Sequence, residues 1–72
     1  MGDTFTVKEL AERITGGNEY GMRLLLKDAG AAIDEYAQNG DETVTREVVV
    51  NLFAIRAGDR VGRIASQLLA QP

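Results

Sequence analysis

The sequence predicts an all-α fold, a small four-helix domain, and two observations carry this prediction. Apolar residues recur every three or four positions along most of the chain, which is the spacing that forms one apolar stripe on a helix. Residues that typically begin and end helices stand between these stretches. The four predicted helices cover residues 6–15, 19–38, 46–57 and 60–70, with the second as a long central helix. A chain of 72 residues is expected to form one domain, 1–72.

The first predicted helix has signals at both ends. Its apolar stripe consists of Val7, Leu10, Ala11 and Ile14. Thr6 and Glu9 have the spacing of a capping box, in which each side chain accepts a hydrogen bond from the other residue's backbone N–H. Gly16 and Gly17 follow the stripe and predict the end of the helix.

The second predicted helix begins after Asn18, a good N-cap residue, and ends at the turn-forming pair 39–40. Its apolar positions are Met22, Leu25, Leu26, Ala29, Ala32, Ile33 and Tyr36. Glu19 and Arg23 stand at i and i+4 in the order that favours an ion pair. The small residues 29–32 are expected to let another helix approach closely, either within the monomer or across a dimer seam.

The third and fourth predicted helices follow a polar turn. Thr45 and Asp59 are their expected N-caps, and Gly58 separates them. The β-branched run 48–50 favours a strand by propensity, whereas the apolar period favours a helix. Residues 44–56 are therefore predicted to be helical, and a strand is the alternative. The corresponding alternative fold is α+β, a histone-like helical pair with a short sheet.

Composition removes most enzyme chemistry. The chain has no Cys and no His, so it lacks ligands for a usual zinc site, a thiol nucleophile and a serine triad. An EF-hand calcium loop centred on Gly40 fails, because Ala37 and Arg46 fall where oxygen ligands are required. The sequence therefore predicts a protein that is not an enzyme and has no metal and no cofactor.

The start of the chain has no basic segment followed by an apolar one, and no apolar run is long enough to cross a membrane. We therefore expect no signal peptide, no membrane partner and a cytoplasmic location.

Charge is distributed unevenly along the chain. The formal net charge is −3, which disfavours a protein that coats nucleic acid through bulk electrostatics. Residues 46–72 nevertheless carry four Arg against two acidic side chains. The candidate contacts for an anion, a nucleic acid or an acidic partner are Arg46, Arg56, Arg60 and Arg63. The alternative is that these arginines pair with the acidic N-terminal part.

Apolar residues are more numerous than one small core can take. Leu24, Leu25 and Leu26 are consecutive, as are three valines, and successive side chains on a helix point about 100° apart. Some of them must therefore stay exposed. The candidate interface residues are Leu24, Tyr36, Val50 and Phe53.

Two segments resemble known DNA-binding proteins. Residues 6–14 resemble the first helix of helix-turn-helix regulators. The helix pair ending at residues 40–41, followed by 53–56 and 62–63, is similar in order to bacterial histone-like DNA-bending proteins of the HU type, although the glycine-flanked Phe and the Asn-Pro of that family are absent. The HU-type resemblance covers residues 4 to 63 and implies a dimer whose strands and basic arms clasp DNA in the minor groove.

The sequence thus supports two functions. The first is a protein–protein interaction module that forms homo-oligomers or binds another protein. The alternative is a DNA-associated regulatory or architectural protein whose C-terminal Arg residues contact phosphates, and its binding would weaken steeply with salt.

Overall fold

The computed structural model describes residues 4–71, so residues 1–3 and 72 of the predicted domain lie outside the described part. Within residues 4–71 the chain forms four helices and two short strands. The elements in chain order are β1 (Thr4–Thr6), α1 (Val7–Ile14), α2 (Glu19–Asp28), β2 (Thr43–Thr45), α3 (Arg46–Ile55) and α4 (Arg60–Leu69). The prediction of a mostly helical fold is confirmed. The small sheet is an addition to the predicted all-α architecture, and residues 46–55 are helix rather than strand.

The chain order strand–helix–helix occurs twice. In each unit a Thr-x-Thr strand runs directly into a helix, and a short turn leads to a second helix. The second helices also begin alike. Asn18 accepts a hydrogen bond from the N–H of Gly21, and Asp59 accepts one from the N–H of Gly62, so each cap is followed by a glycine three residues later.

The two strands join the units and place their central side chains in the core. They pair antiparallel, with Phe5 opposite Val44. Side chains alternate between the faces of a strand, so this pair points inward while the flanking threonines point outward. The core consists of Phe5, Val7, Leu10, Ala11, Ile14, Met22, Leu26, Ala29, Val44, Val49, Leu52, Ala65 and Leu68.

The capping box predicted for α1 is confirmed. The Thr6 hydroxyl accepts a hydrogen bond from the Glu9 N–H at 3.0 Å, and the Glu9 carboxylate accepts one from the Thr6 N–H at 2.8 Å. The N–H groups of Val7 and Lys8 donate to carbonyls of the turn at 40–42. The free amides of the first helical turn are therefore bound within the chain.

The prediction of a long central helix over residues 19–38 is wrong. α2 ends at Asp28, and Gly30 adopts a φ of +97°, which glycine reaches without a steric penalty. The Gly30 N–H donates to the Lys27 carbonyl, and the Ala31 N–H donates to the Leu26 carbonyl. These two hydrogen bonds form the Schellman motif of a helix C-terminus. The small residues 29–32 consequently end a helix and do not form a helical packing seam.

Residues 29–42, which we call the connector, lead from α2 to β2 without regular secondary structure. Arg23 of α2 is fully buried and holds the connector in place. Its guanidinium donates to the Asp34 carbonyl at 3.1 Å and to the Asn39 carbonyl at 2.8 Å, and it forms an ion pair with Glu42 at 2.6 Å. The predicted partner, Glu19, forms no ion pair with Arg23, because Arg23 points inward to the connector.

Replacing Thr6 by Ala is expected to lower the free energy of unfolding by about 1 kcal/mol, because the Glu9 N–H loses its acceptor. Thr45 offers a matched control. It occupies the N-cap position of α3 but its side chain makes no capping hydrogen bond, so Thr45→Ala should cost clearly less. Urea unfolding of both variants measures the difference, and equal losses would contradict the capping assignment.

Replacing Glu42 by Gln is expected to cost about 1–3 kcal/mol, because the buried Arg23 charge would keep only neutral acceptors. Glu19→Gln is the control, since it removes a carboxylate that does not pair with Arg23. Its effect should be limited to about 0.5 kcal/mol of lost interaction with the helix dipole. If urea unfolding gave the larger loss for Glu19→Gln, the buried ion pair would be assigned wrongly.

Candidate interaction surfaces

Six large hydrophobic side chains within residues 4–71 are exposed. They are Tyr20, Leu24, Tyr36, Val50, Phe53 and Ile55. All four predicted interface residues belong to this group. The prediction that some apolar side chains stay outside the core is therefore confirmed. Their role in an interface stays a prediction.

The first exposed apolar surface lies on α3. Val50 and Phe53 are three residues apart and therefore share one side of the helix, together with the exposed Ala54. We call these three residues the α3 face. The adjoining side of the same helix carries the buried Val49 and Leu52, so core packing holds the helix that presents this face.

The second exposed apolar surface joins α2 to the connector. Tyr20 and Leu24 share one side of α2, and the Tyr36 ring lies against the Tyr20 ring with 5.9 Å between centroids and 31° between planes. We call Tyr20, Leu24 and Tyr36 the tyrosine surface. The sequence predicts a helix at Tyr36 and gives Tyr20 no role, although the spacing of Tyr20 and Leu24 already predicts that both share one side of α2.

An ion pair anchors the connector beside the tyrosine surface. Lys27 contacts Glu35 at 2.6 Å. The hydrogen bond and charge of Glu35 raise the pKa of Lys27, and the charge of Glu35, followed by the influence of Tyr20, raises the pKa of Tyr36. Beside these residues lies a groove of about 260 Å³, lined by Glu19, Tyr20, Glu35, Tyr36, Ala37 and Gln38.

The four candidate arginines do not form one cluster. Arg46 donates to the Leu69 carbonyl at one end of α3, whereas Arg56 follows the other end. A ten-residue helix spans about 15 Å, so these two residues lie that far apart along α3. Arg60 donates to the Ile14 carbonyl at 2.6 Å, and Arg63 is exposed.

The glycine- and arginine-containing motif at 58–63 has a structural role at the turn between α3 and α4. The Asp59 carboxylate accepts hydrogen bonds from the first amides of α4 and pairs with Arg56 at 2.8 Å, and the hydrogen bond from Arg56 lowers the pKa of Asp59. Gly62 is required for close packing, because a Cβ there would overlap the Arg56 carbonyl oxygen. The chain's own carboxylate thus binds the amides of this helix N-terminus, where an anion would otherwise bind.

Residues 4–71 contain no group of three or more metal-ligating side chains that could hold an ion. No helix in this range combines the length and apolar character needed to span a bilayer. Comparisons with protein families, with curated proteins and with solved structures found no match. The resemblances to helix-turn-helix and HU-type proteins therefore stay hypotheses.

Replacing Glu35 by Gln is expected to lower the pKa of Tyr36 toward its ordinary value of 10.0, because the neighbouring negative charge disappears. A raised folded-state pKa contributes stability below the unfolded-state pKa, and this contribution is lost as the pH rises through the folded-state pKa. The free energy of unfolding should therefore fall above about pH 10, and it should fall less in the Glu35→Gln variant than in the unmodified chain.

The ring NMR resonances of Tyr36 report this titration directly. Glu19→Gln is the control, because Glu19 lines the same groove but does not contribute to the pKa shift of Tyr36. An unchanged Tyr36 titration in the Glu35 variant would show that the connector is placed differently.

Proposed function

We propose that this chain is a non-enzymatic protein–protein interaction module that self-associates through the α3 face. The observation that carries the proposal is the exposure of Val50 and Phe53, at 45% and 38%, side by side on a regular helix. Large apolar side chains gathered on the surface of a small domain are typical of interfaces.

The position of the α3 face favours association. α3 packs closely against α4, since Gly62 allows α4 to approach the end of α3. A helix held this way loses little freedom on binding, which reduces the entropic cost of association. Two copies of one helical face can pack about a two-fold axis, the commonest symmetry of soluble oligomers.

Size gives a second reason for association. Natural domains of this length often need a disulfide, a metal or a partner subunit in addition to their own core. The sequence has no Cys and no His, so a partner subunit is the most direct of these means. Covering Val50 and Phe53 would add apolar burial to a core of limited size.

The non-enzymatic and cytoplasmic parts of the proposal rest on composition. The absence of Cys and His removes the thiol nucleophile, the commonest general base and the usual zinc ligands. A chain that needs no disulfide is well suited to a reducing compartment.

Association with DNA has less support from the side chains. The guanidinium groups of Arg56 and Arg60 bind Asp59 and the Ile14 carbonyl, so phosphate would have to compete with partners inside the chain. Arg46 donates to the Leu69 carbonyl at the start of α3, whereas Arg63 lies in the first turn of α4, which follows the other end of α3. We therefore propose that apolar contacts provide the affinity of this module. DNA binding is the alternative function.

Light scattering at micromolar concentration tests the proposal. We expect the mass of a dimer that falls to one chain on dilution. Phe53→Glu should raise the dissociation constant at least about tenfold, because a dimer would bury an unpaired carboxylate. Leu24→Glu is the matched control, since Leu24 is about equally exposed but lies on the tyrosine surface. A single-chain mass for the unmodified protein at every concentration would refute self-association.

A further inference from the structure

We infer that the tyrosine surface is a second binding site, which takes a Lys or Arg side chain from a basic segment of a partner protein. The inference goes beyond the proposed self-association and does not depend on it, because the α3 face and the tyrosine surface share no residue. Its basis is the juxtaposition of two adjacent aromatic rings, tilted by 31°, and a groove beside them that is lined by Glu19 and Glu35.

Half of the chain's few aromatic residues lie together on the surface. The chain has only two Tyr and two Phe, and it places both tyrosines together on the surface. Tyr36 is 73% exposed and Tyr20 is 48% exposed, so neither ring serves mainly to fill the core. Ring faces attract cations through their quadrupole, and two adjacent rings offer a cation two such faces.

Charge complementarity identifies the occupant as a cation. Glu19 and Glu35 both line the groove. Within residues 4–71 the Glu19 carboxylate lies beside Gly40 and forms no ion pair. Glu35 binds Lys27 through its Oε1 atom and also interacts with the side chain of Tyr36. An apolar ligand would desolvate these carboxylates without compensation, and a phosphate would be repelled. A guanidinium or ammonium group satisfies both the rings and the carboxylates.

The size of the groove indicates one side chain. Its volume of about 260 Å³ lies below the range of roughly 300–1,000 Å³ that is usual for small-molecule pockets. A single long side chain, with its aliphatic stem in the groove and its charged end beside the rings, suits this space better than a cofactor.

The site is also held in place before any ligand binds. The connector is fourteen residues long, a length at which a segment without regular structure is usually functional. Arg23 fixes its Asp34 and Asn39 carbonyls, which lie on either side of Tyr36 in the chain. Lys27 fixes Glu35. A binding loop that is already ordered pays less conformational entropy when a ligand arrives.

NMR titration of the Tyr20 and Tyr36 ring resonances with a blocked Gly-Arg-Gly tripeptide tests the site. The peptide should give saturable shifts with a dissociation constant of roughly tens of millimolar, because exposed cation–π contacts and exposed ion pairs each contribute little binding free energy. The neutral Gly-Gln-Gly peptide should bind at least about threefold more weakly. Equal binding of the two peptides, or no saturable shift with the Arg peptide, would overturn the proposal.

Variants of Tyr36 show whether the ring is the binding group. Tyr36→Phe should keep the affinity for the Arg peptide, whereas Tyr36→Leu should weaken it at least about threefold. Unchanged backbone amide spectra outside the connector confirm that each variant is folded. Phe53→Glu, which tests self-association, should leave peptide binding unaltered, so the two proposals fail independently. If Tyr36→Phe bound as weakly as Tyr36→Leu, the hydroxyl would be responsible and the cation–π site would be rejected.

Discussion

The buried guanidinium of Arg23 is the interaction on which the arrangement of the two units depends. It binds the connector at Asp34, Asn39 and Glu42. The carbonyl of Glu42 in turn accepts from the first amide of α1, and β2 begins at the next residue. One charge therefore fixes a helix N-terminus, the position of a strand and the course of fourteen residues. Its Nε atom has no partner in the described part of the chain, so the charge is buried at some cost.

The fold separates two surfaces that differ in character. The α3 face is apolar and lies on a helix that is packed between the core and solvent. The tyrosine surface combines aromatic rings with carboxylates and depends on the connector. An apolar face suits a copy of the same chain, whereas a face that mixes rings and negative charge suits a cationic side chain. Both surfaces exist because α2 and α3 each bury one side in the small core and leave another side exposed to solvent.

Local signals made the helix starts predictable, and longer-range contacts explain what was missed. Thr6 and Asn18 cap helices through neighbours three residues away, so the sequence contains the whole interaction. Gly30 was misread because its apolar neighbours continue the helical period, although a basic residue followed by glycine also predicts a helix end. Arg23 resembled a surface residue, since its acceptors lie eleven to nineteen positions later. Each strand has three residues, too few to show the alternation of apolar and polar residues that predicts a strand. The contact between Tyr20 and Tyr36 could not be predicted because it requires the connector to fold back against α2.

The strand pair also bears on the order in which the chain folds. Phe5 meets Val44 across 39 positions, whereas α1 with α2 and α3 with α4 are neighbours in sequence. Closing a long loop costs more chain entropy than forming a helical hairpin, so each hairpin can collapse before the strands meet. The sheet then joins two preformed halves, and its three-residue strands contribute little until both are in place. The hairpins should accordingly form first, and the sheet should mark the completion of the native topology.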